Sequence, residues 1–271
     1  MKWIRFKHDG SPRFGILQNG SITVTSLSWK EILEGRAVDS LGVIEASEVT
    51  LLAPLDRPGK IIAIGLNYRD HCRETNSEPP EKPIVFCKFP TSVVGPGDEI
   101  RWSEDLTRQV DYEAELAVVI GRTAWRVSER EALNYVFGYT VGNDVSARDL
   151  QFSDGQWIRA KSIDTFCPLG PAIVTADAVA SPQNLDIRSH LNGQTMQDSN
   201  TSEMIFSVVQ LISFCSHAFT LEPGDVILTG TPSGVGVGRD PQIFMQDGDH
   251  IVVEIEGIGS LENTCRTTES G

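Results

Sequence analysis

Asp111-Tyr112-Glu113-Ala114-Glu115-Leu116-Ala117-Val118-Val119-Ile120 is the stretch on which the fold turns. Alternate residues of a strand face the same side, so Glu113, Glu115, Ala117 and Val119 share one face, and Ala114, Leu116, Val118 and Ile120 form the other. Two carboxylates therefore stand at one end of an otherwise apolar strand. With roots roughly 6 to 7 Å apart, they repel each other unless they reach solvent, share a proton or hold a cation. A third carboxylate, Asp144, closes the next apolar segment, Val136-Phe137-Gly138-Tyr139-Thr140-Val141-Gly142-Asn143, which can pair beside the first. Three hard oxygen ligands suit magnesium or manganese and leave positions open for substrate and water. The same alternation also fits the solvated side of an edge strand, and spacing alone leaves both readings standing.

Working outward, strand signals dominate from residue 60: Lys60-Ile61-Ile62-Ala63-Ile64-Gly65, Ile84-Val85-Phe86, Asp225 to Thr229 and Ile251 to Ile255. Helices are fewer. Ser207 with Gln210 forms a capping box before Leu211, Ile212, Phe214 and Cys215, and Ser128 with Glu131 predicts another helix start. Before residue 53, two short strands (Phe14 to Leu17, Ser21 to Val24) lead to a capping box at Ser28 and Glu31, opening a helix that stops near Gly35. Ala53-Pro54-Leu55-Asp56-Arg57-Pro58-Gly59 punctuates the chain, placing a small N-terminal α/β module at residues 1–57 and a larger domain at 58–271. Strand-rich order without regular βαβ alternation predicts an α+β, β-rich fold: a mixed β core with peripheral helices.

The chain of 271 residues can bury a substantial core, and its formal net charge of -14 with no basic run argues against nucleic-acid binding. The N-terminus lacks the apolar block of a secretory signal, and no stretch approaches a membrane span. Five scattered cysteines without CxxC spacing suggest neither disulfides nor structural zinc. A cytoplasmic location is expected, or the mitochondrial matrix if a transit segment has been removed.

Five segments together resemble the fumarylacetoacetate hydrolase family: Gly65-Leu66-Asn67-Tyr68-Arg69-Asp70-His71, Asp111 to Gly121, Asn143-Asp144-Val145-Ser146-Ala147-Arg148-Asp149-Leu150-Gln151, Lys161 to Pro171 and Pro223 to Pro232. The resemblance covers roughly residues 58 to 265, in order. It implies a mixed β-roll/β-sandwich catalytic domain, usually a homodimer, with magnesium or manganese on Glu113, Glu115 and Asp144. It also implies that Arg148, Gln151, Lys161 and Thr231 line the substrate pocket and that His71 with Glu74 forms an acid/base pair on a mobile lid. In one departure, Leu66 stands where many members carry arginine.

The residues themselves leave choices open. Asn67 could cap a helical turn that sets His71 and Glu74 at i and i+3, where the carboxylate orients the imidazole; a surface histidine in a polar loop is the rival. With Val145 to Gln151 as a helical turn, Arg148 either grips a substrate carboxylate or pairs structurally with Asp144 or Asp149. Lys161 near a cation can stabilise developing negative charge, whereas an exposed lysine is usually inert. Gly234, Gly236 and Gly238 do not follow a nucleotide-loop spacing and are expected beside the pocket. The expected chemistry is that of a 2-keto acid whose carboxylate and keto oxygen meet the cation, the enolate being the common intermediate. Hydrolysis of an acylpyruvate ranks first. Oxaloacetate decarboxylation or keto-enol tautomerisation follows, then isomerisation or decarboxylation in aromatic catabolism. A metal-binding protein without chemistry is the rival from another class, and the five histidines lack the spacing of an iron oxygenase.

Overall fold

The computed structural model describes residues 1–55 and 57–268; of the punctuating segment Asp56, and of the larger domain residues 269–271, lie outside the described residues. Ala114–Ile120 is central in a 12-stranded sheet, antiparallel to Val136–Asn143 on one side and to Val226–Leu228 on the other. All seven of its residues are buried, which removes the edge-strand alternative. The alternation holds: Ala114, Leu116, Val118 and Ile120 enter one core cluster, while Ala117 and Val119 enter another on the opposite face.

The main sheet runs in the order Gly42–Glu45, Ser21–Thr25, Ser11–Gln18, Lys2–His8, Cys167–Thr175, Val136–Asn143, Ala114–Ile120, Val226–Leu228, Ile61–Gly65, Ile84–Lys88, with Thr50–Leu52 paired to Lys2–His8 and Val93–Val94 to Cys167–Thr175 off that path. Within that run only Val226–Leu228 and Ile61–Gly65 pair in parallel. The N-terminal strands are thus continuous with the rest, joined where Lys2 and Trp3 pair with Val174 and Ile173. A second, five-stranded sheet (Gln194–Asn200, Asp186–Leu191, His250–Ile255, Gly259–Thr268, Glu99–Ser103) packs Ile187, Val253, Ile255 and Leu261 against the first core cluster. The fold is therefore β-rich and mixed, as expected.

Two of the three capping patterns read from residue types form capping boxes that open α-helices. Ser28 and Glu31 open Trp29–Leu33, and Ser207 with Gln210 opens Val208–Ala218, which buries Leu211, Ile212 and Cys215. The third does not produce an α-helix. The Ser128 hydroxyl donates to Glu131 Oε2 at 2.8 Å, but only a 3-10 turn, Ala132–Tyr135, follows before the strand at Val136 begins. The chain has no length left for further turns. Among the described residues, no helix is long and apolar enough to cross a membrane.

Candidate active site

Pairing of Ala114 with Asn143 brings the two strand ends level, and the Asp144 N–H donates to the Glu113 carbonyl at 2.9 Å. Register alone therefore sets Asp144 beside Glu113 and Glu115. One carboxylate oxygen from each of the three lies within 4.8 Å of the others, and all three residues are buried. Around them stand three cations. Lys161 Nζ is 2.6 Å from Glu113 Oε2 and 2.8 Å from Asp144 Oδ2, Arg148 Nη1 is 2.7 Å from Glu113 Oε1, and Lys88 pairs with Asp144. Glu115 accepts the Gly230 N–H at 2.8 Å and, among the described residues, joins no ion pair.

Electrostatics separates the two glutamates. Burial opposes ionisation of Glu113, but Lys161 and Arg148 overcome it and hold its carboxyl down at about 2. Burial, reinforced by the charges of Asp144 and Glu113, pushes the Glu115 carboxyl well up. Lys161 is disfavoured as a cation by burial, yet Asp144 and Glu113 outweigh that and raise it above its ordinary value, so it is an ammonium donor rather than a base. Counting Asp111, four buried carboxylates face three buried cations, a formal balance of -1 if all are ionised. Three convergent hard oxygens, one of them lacking a cationic partner, fit a divalent ion such as magnesium or manganese.

The cavity over this cluster is lined by His71, Glu113, Glu115, Arg148, Gln151, Lys161 and Thr231, with Ile64, Leu66, Phe86 and Trp157 as an apolar wall. Phe86 and Trp157 meet edge to face at 5.3 Å. Leu66 sits at a φ of 50°, a left-handed conformation uncommon for a branched side chain. Thr231 accepts Gln197 Nε2 at 2.8 Å. His71 and Glu74 do share one helix, Arg69–Glu74, with Nδ1 3.0 Å from Glu74 Oε2, and His71 is buried rather than a surface histidine.

Three local expectations are corrected. Asn67 does not cap that helix: Tyr68 occupies the cap position, and the Asn67 side chain instead donates to the carbonyls of Phe206 and Thr229 and accepts the Phe206 N–H. As a fully buried amide it has to satisfy all its polar atoms, and those three partners do so better than one helix N–H. The helical turn expected from Val145 starts at Arg148, because Ser146–Ala147 first pairs with Val110–Asp111. Arg148 pairs with neither Asp144 nor Asp149. Its Nε donates to Asp111 Oδ2 at 2.8 Å and its Nη1 to Gln151 Oε1 at 2.9 Å, while Asp149 is engaged by Thr107. Arg148 Nη2 is buried and, among the described residues, has no hydrogen-bond partner.

Two residues escaped the sequence reading. Lys88 closes the strand Ile84–Lys88 and is buried against Asp144 and the Val145 carbonyl. Its signal was alternation, which puts Lys88 on the face of Phe86. Asp111 stands two residues before Glu113, and the same period would have placed it beside the cluster.

A family model described as fumarylacetoacetate (FAA) hydrolase C-terminal matches residues 60–266, and one described as Rv2993c-like, N-terminal, matches residues 1–54. Oxaloacetate tautomerase fahd2, mitochondrial, of Xenopus laevis is 50% identical over 223 residues, covering 82% of this chain and 70% of its own. Oxaloacetate tautomerase YisK of Bacillus subtilis is 48% identical over 230 residues, covering 83% and 76%. The solved structure of fumarylacetoacetate hydrolase (EaFAH) from psychrophilic Exiguobacterium antarcticum superposes with a TM-score of 0.91 at 42% identity, covering 99% of this chain and 100% of that one.

Proposed function

The chain belongs to the fumarylacetoacetate hydrolase family and is an enzyme of that family; on that premise we propose that it catalyses keto-enol tautomerisation of oxaloacetate or a close 2-keto dicarboxylate. Glu113, Glu115 and Asp144 would hold the divalent cation, magnesium or manganese, which when bound supplies Lewis-acid stabilisation of negative charge on a keto oxygen.

The observation that carries the reading is Arg148 Nη2, without a hydrogen-bond partner among the described residues, on a guanidinium lining a cavity that His71 and Lys161 also line. A buried guanidinium N–H without an acceptor is costly, and a substrate carboxylate supplies the acceptor. Lys161, held as an ammonium, donates toward a developing enolate oxygen. With the Nδ1–H of His71 given to Glu74, Nε2 keeps a lone pair to take a proton from the carbon beside the keto group; the proton returned to the oxygen completes the enol. Gln151 holds Arg148 in place, and Thr231 adds a hydroxyl to the wall.

The two tautomerase relatives at 48% and 50% identity support this reaction ahead of acylpyruvate hydrolysis. Hydrolysis of a carbon-carbon bond is the second reading, favoured by the same His71–Glu74 pair, which could as well activate a water. Decarboxylation and isomerisation need no further groups. We also propose a homodimer with residues 1–57 as an accessory module and 58–271 as the catalytic domain, working in the cytoplasm or mitochondrial matrix. The deciding experiment offers oxaloacetate and a series of acylpyruvates to the magnesium-loaded protein, following enol absorbance and product masses. Faster enol-keto interconversion without new products supports tautomerisation, and cleavage of an acylpyruvate with oxaloacetate untouched overturns it.

A further inference from the structure

Asp111 is fully buried and its carboxylate is engaged four ways. Oδ2 accepts from Arg148 Nε at 2.8 Å and from the Val237 N–H at 3.0 Å, while Oδ1 accepts from the N–H groups of Gly236 at 2.7 Å and Tyr112 at 2.9 Å. One of these bonds fixes a guanidinium that lines the cavity; two hold the loop that carries Gly234, Gly236 and Gly238. The same loop supports the acid/base helix from outside the cavity. Its Gly234 N–H donates to Glu74 Oε1 at 2.8 Å, and Glu74 Oε2 meets His71 Nδ1 at 3.0 Å. Gly238 passes so near that a Cβ there would stand 2.7 Å from Glu74 Cδ. Tyr112 and Arg239 bond the Gly234 carbonyl, and the Ile243 N–H and Gln242 Nε2 bond the carbonyls of Gly236 and Val237, while Asp111 takes the N–H groups of Gly236 and Val237.

We propose that Asp111 is a positioning residue that sets the Arg148 guanidinium and the His71–Glu74 pair against each other, so that carboxylate recognition and proton transfer are coupled through one buried side chain. The inference rests on the reading that Arg148 takes the substrate carboxylate and His71 moves the proton. A carboxylate accepting four hydrogen bonds away from water is held rigidly, and both arms inherit that rigidity. Asparagine keeps the shape but turns an NH2 group toward donors, so either Arg148 Nε and the Val237 N–H together, or the Gly236 and Tyr112 N–H groups together, lose their acceptor.

The test compares Asp111→Asn, Gly238→Ala and the double variant in the magnesium-loaded enzyme. Turnover of oxaloacetate gives kcat and KM, and calorimetry gives the Kd of oxalate, a planar dicarboxylate that does not react. Asp111→Asn is expected to lower kcat and weaken oxalate, each about tenfold or more. Gly238 is exposed, and alanine there presses on Glu74, so kcat falls while oxalate binding stays within about twofold. The double variant should lose clearly less than the product of the single losses in kcat. Multiplicative losses, or an Asp111→Asn that moves kcat or Kd alone, overturn the coupling. Should Asp111→Asn not fold, Gly238→Ala combined with Arg148→Lys reads the link from its two ends, with multiplicative losses again overturning it. Wild-type protein inert toward oxaloacetate would overturn the reading beneath together with the coupling; an active wild type with independent variants overturns the coupling alone.

Discussion

Lys161 places its Nζ 2.6 Å from Oε2 of Glu113 with both side chains nearly excluded from water. An ammonium so placed donates into the cavity without giving up its charge, because burial is outweighed by Asp144 and Glu113. Lys161→Met should therefore lower kcat by about 10²- to 10³-fold while a cation still raises the melting temperature. Unchanged kcat would remove Lys161 from the reacting groups.

The carboxylate cluster predicts strict cation dependence. EDTA treatment should abolish turnover, and magnesium or manganese should restore it. Calorimetry should show the folded state gaining about 2.7 kcal/mol at a hundredfold excess of cation over its Kd. Full activity in a demetallated sample sinks the site.

Glu115 ties stability to pH. An acid whose folded pKa lies above its unfolded value binds more protons in the native state, so stability falls as pH rises through that interval. Burial and the charges of Asp144 and Glu113 raise Glu115 from 4.5, and the metal-free protein should lose melting temperature above about that pH. Glu113 acts in the opposite sense and lower down: its contribution is present above 4.5 and lost as pH falls toward about 2. Glu115→Gln should flatten the upper dependence, stabilise the metal-free protein in mild alkali and abolish stabilisation by cation. Melting curves across pH, with and without EDTA, decide it; a metal-free variant no more stable than wild type at alkaline pH contradicts the account.

His71→Ala should cut enol-keto interconversion by about 10²- to 10⁴-fold, and Glu74→Gln by less, since the carboxylate acts through the imidazole. Substrate binding should persist, because Arg148 is untouched. Wild-type rates in His71→Ala would show that another group moves the proton.

Periodicity made much of this molecule readable. Glu113 and Glu115 were placed on one face by a rule of two, and the apolar partners of Ala114–Ile120 segregated into two cores as that rule requires. Ser28 and Ser207 announced their helices through side chains three residues on. Long-range pairing was harder to read. Arg148 found Asp111 and Glu113, 37 and 35 positions back, rather than the acids beside it, because strand register and not sequence distance fixes what meets. Lys88 lies two residues beyond the strand read at Ile84 to Phe86, and the placement of Asp144, fixed by pairing far along the chain, is what makes its burial tolerable. Ser128 carried the right residues for a cap but too short a run before the next strand.

The antiparallel junction of Lys2 and Trp3 with Val174 and Ile173 has a practical meaning for anyone trimming the chain. Removing the leading strands would strip Cys167–Thr175 of its neighbour at that end and uncover the apolar surface that Trp3 now covers. An unpaired strand flank beside exposed hydrophobic side chains is a template for another chain, so a version shortened to the larger matched segment should precipitate or self-associate before its chemistry can be measured.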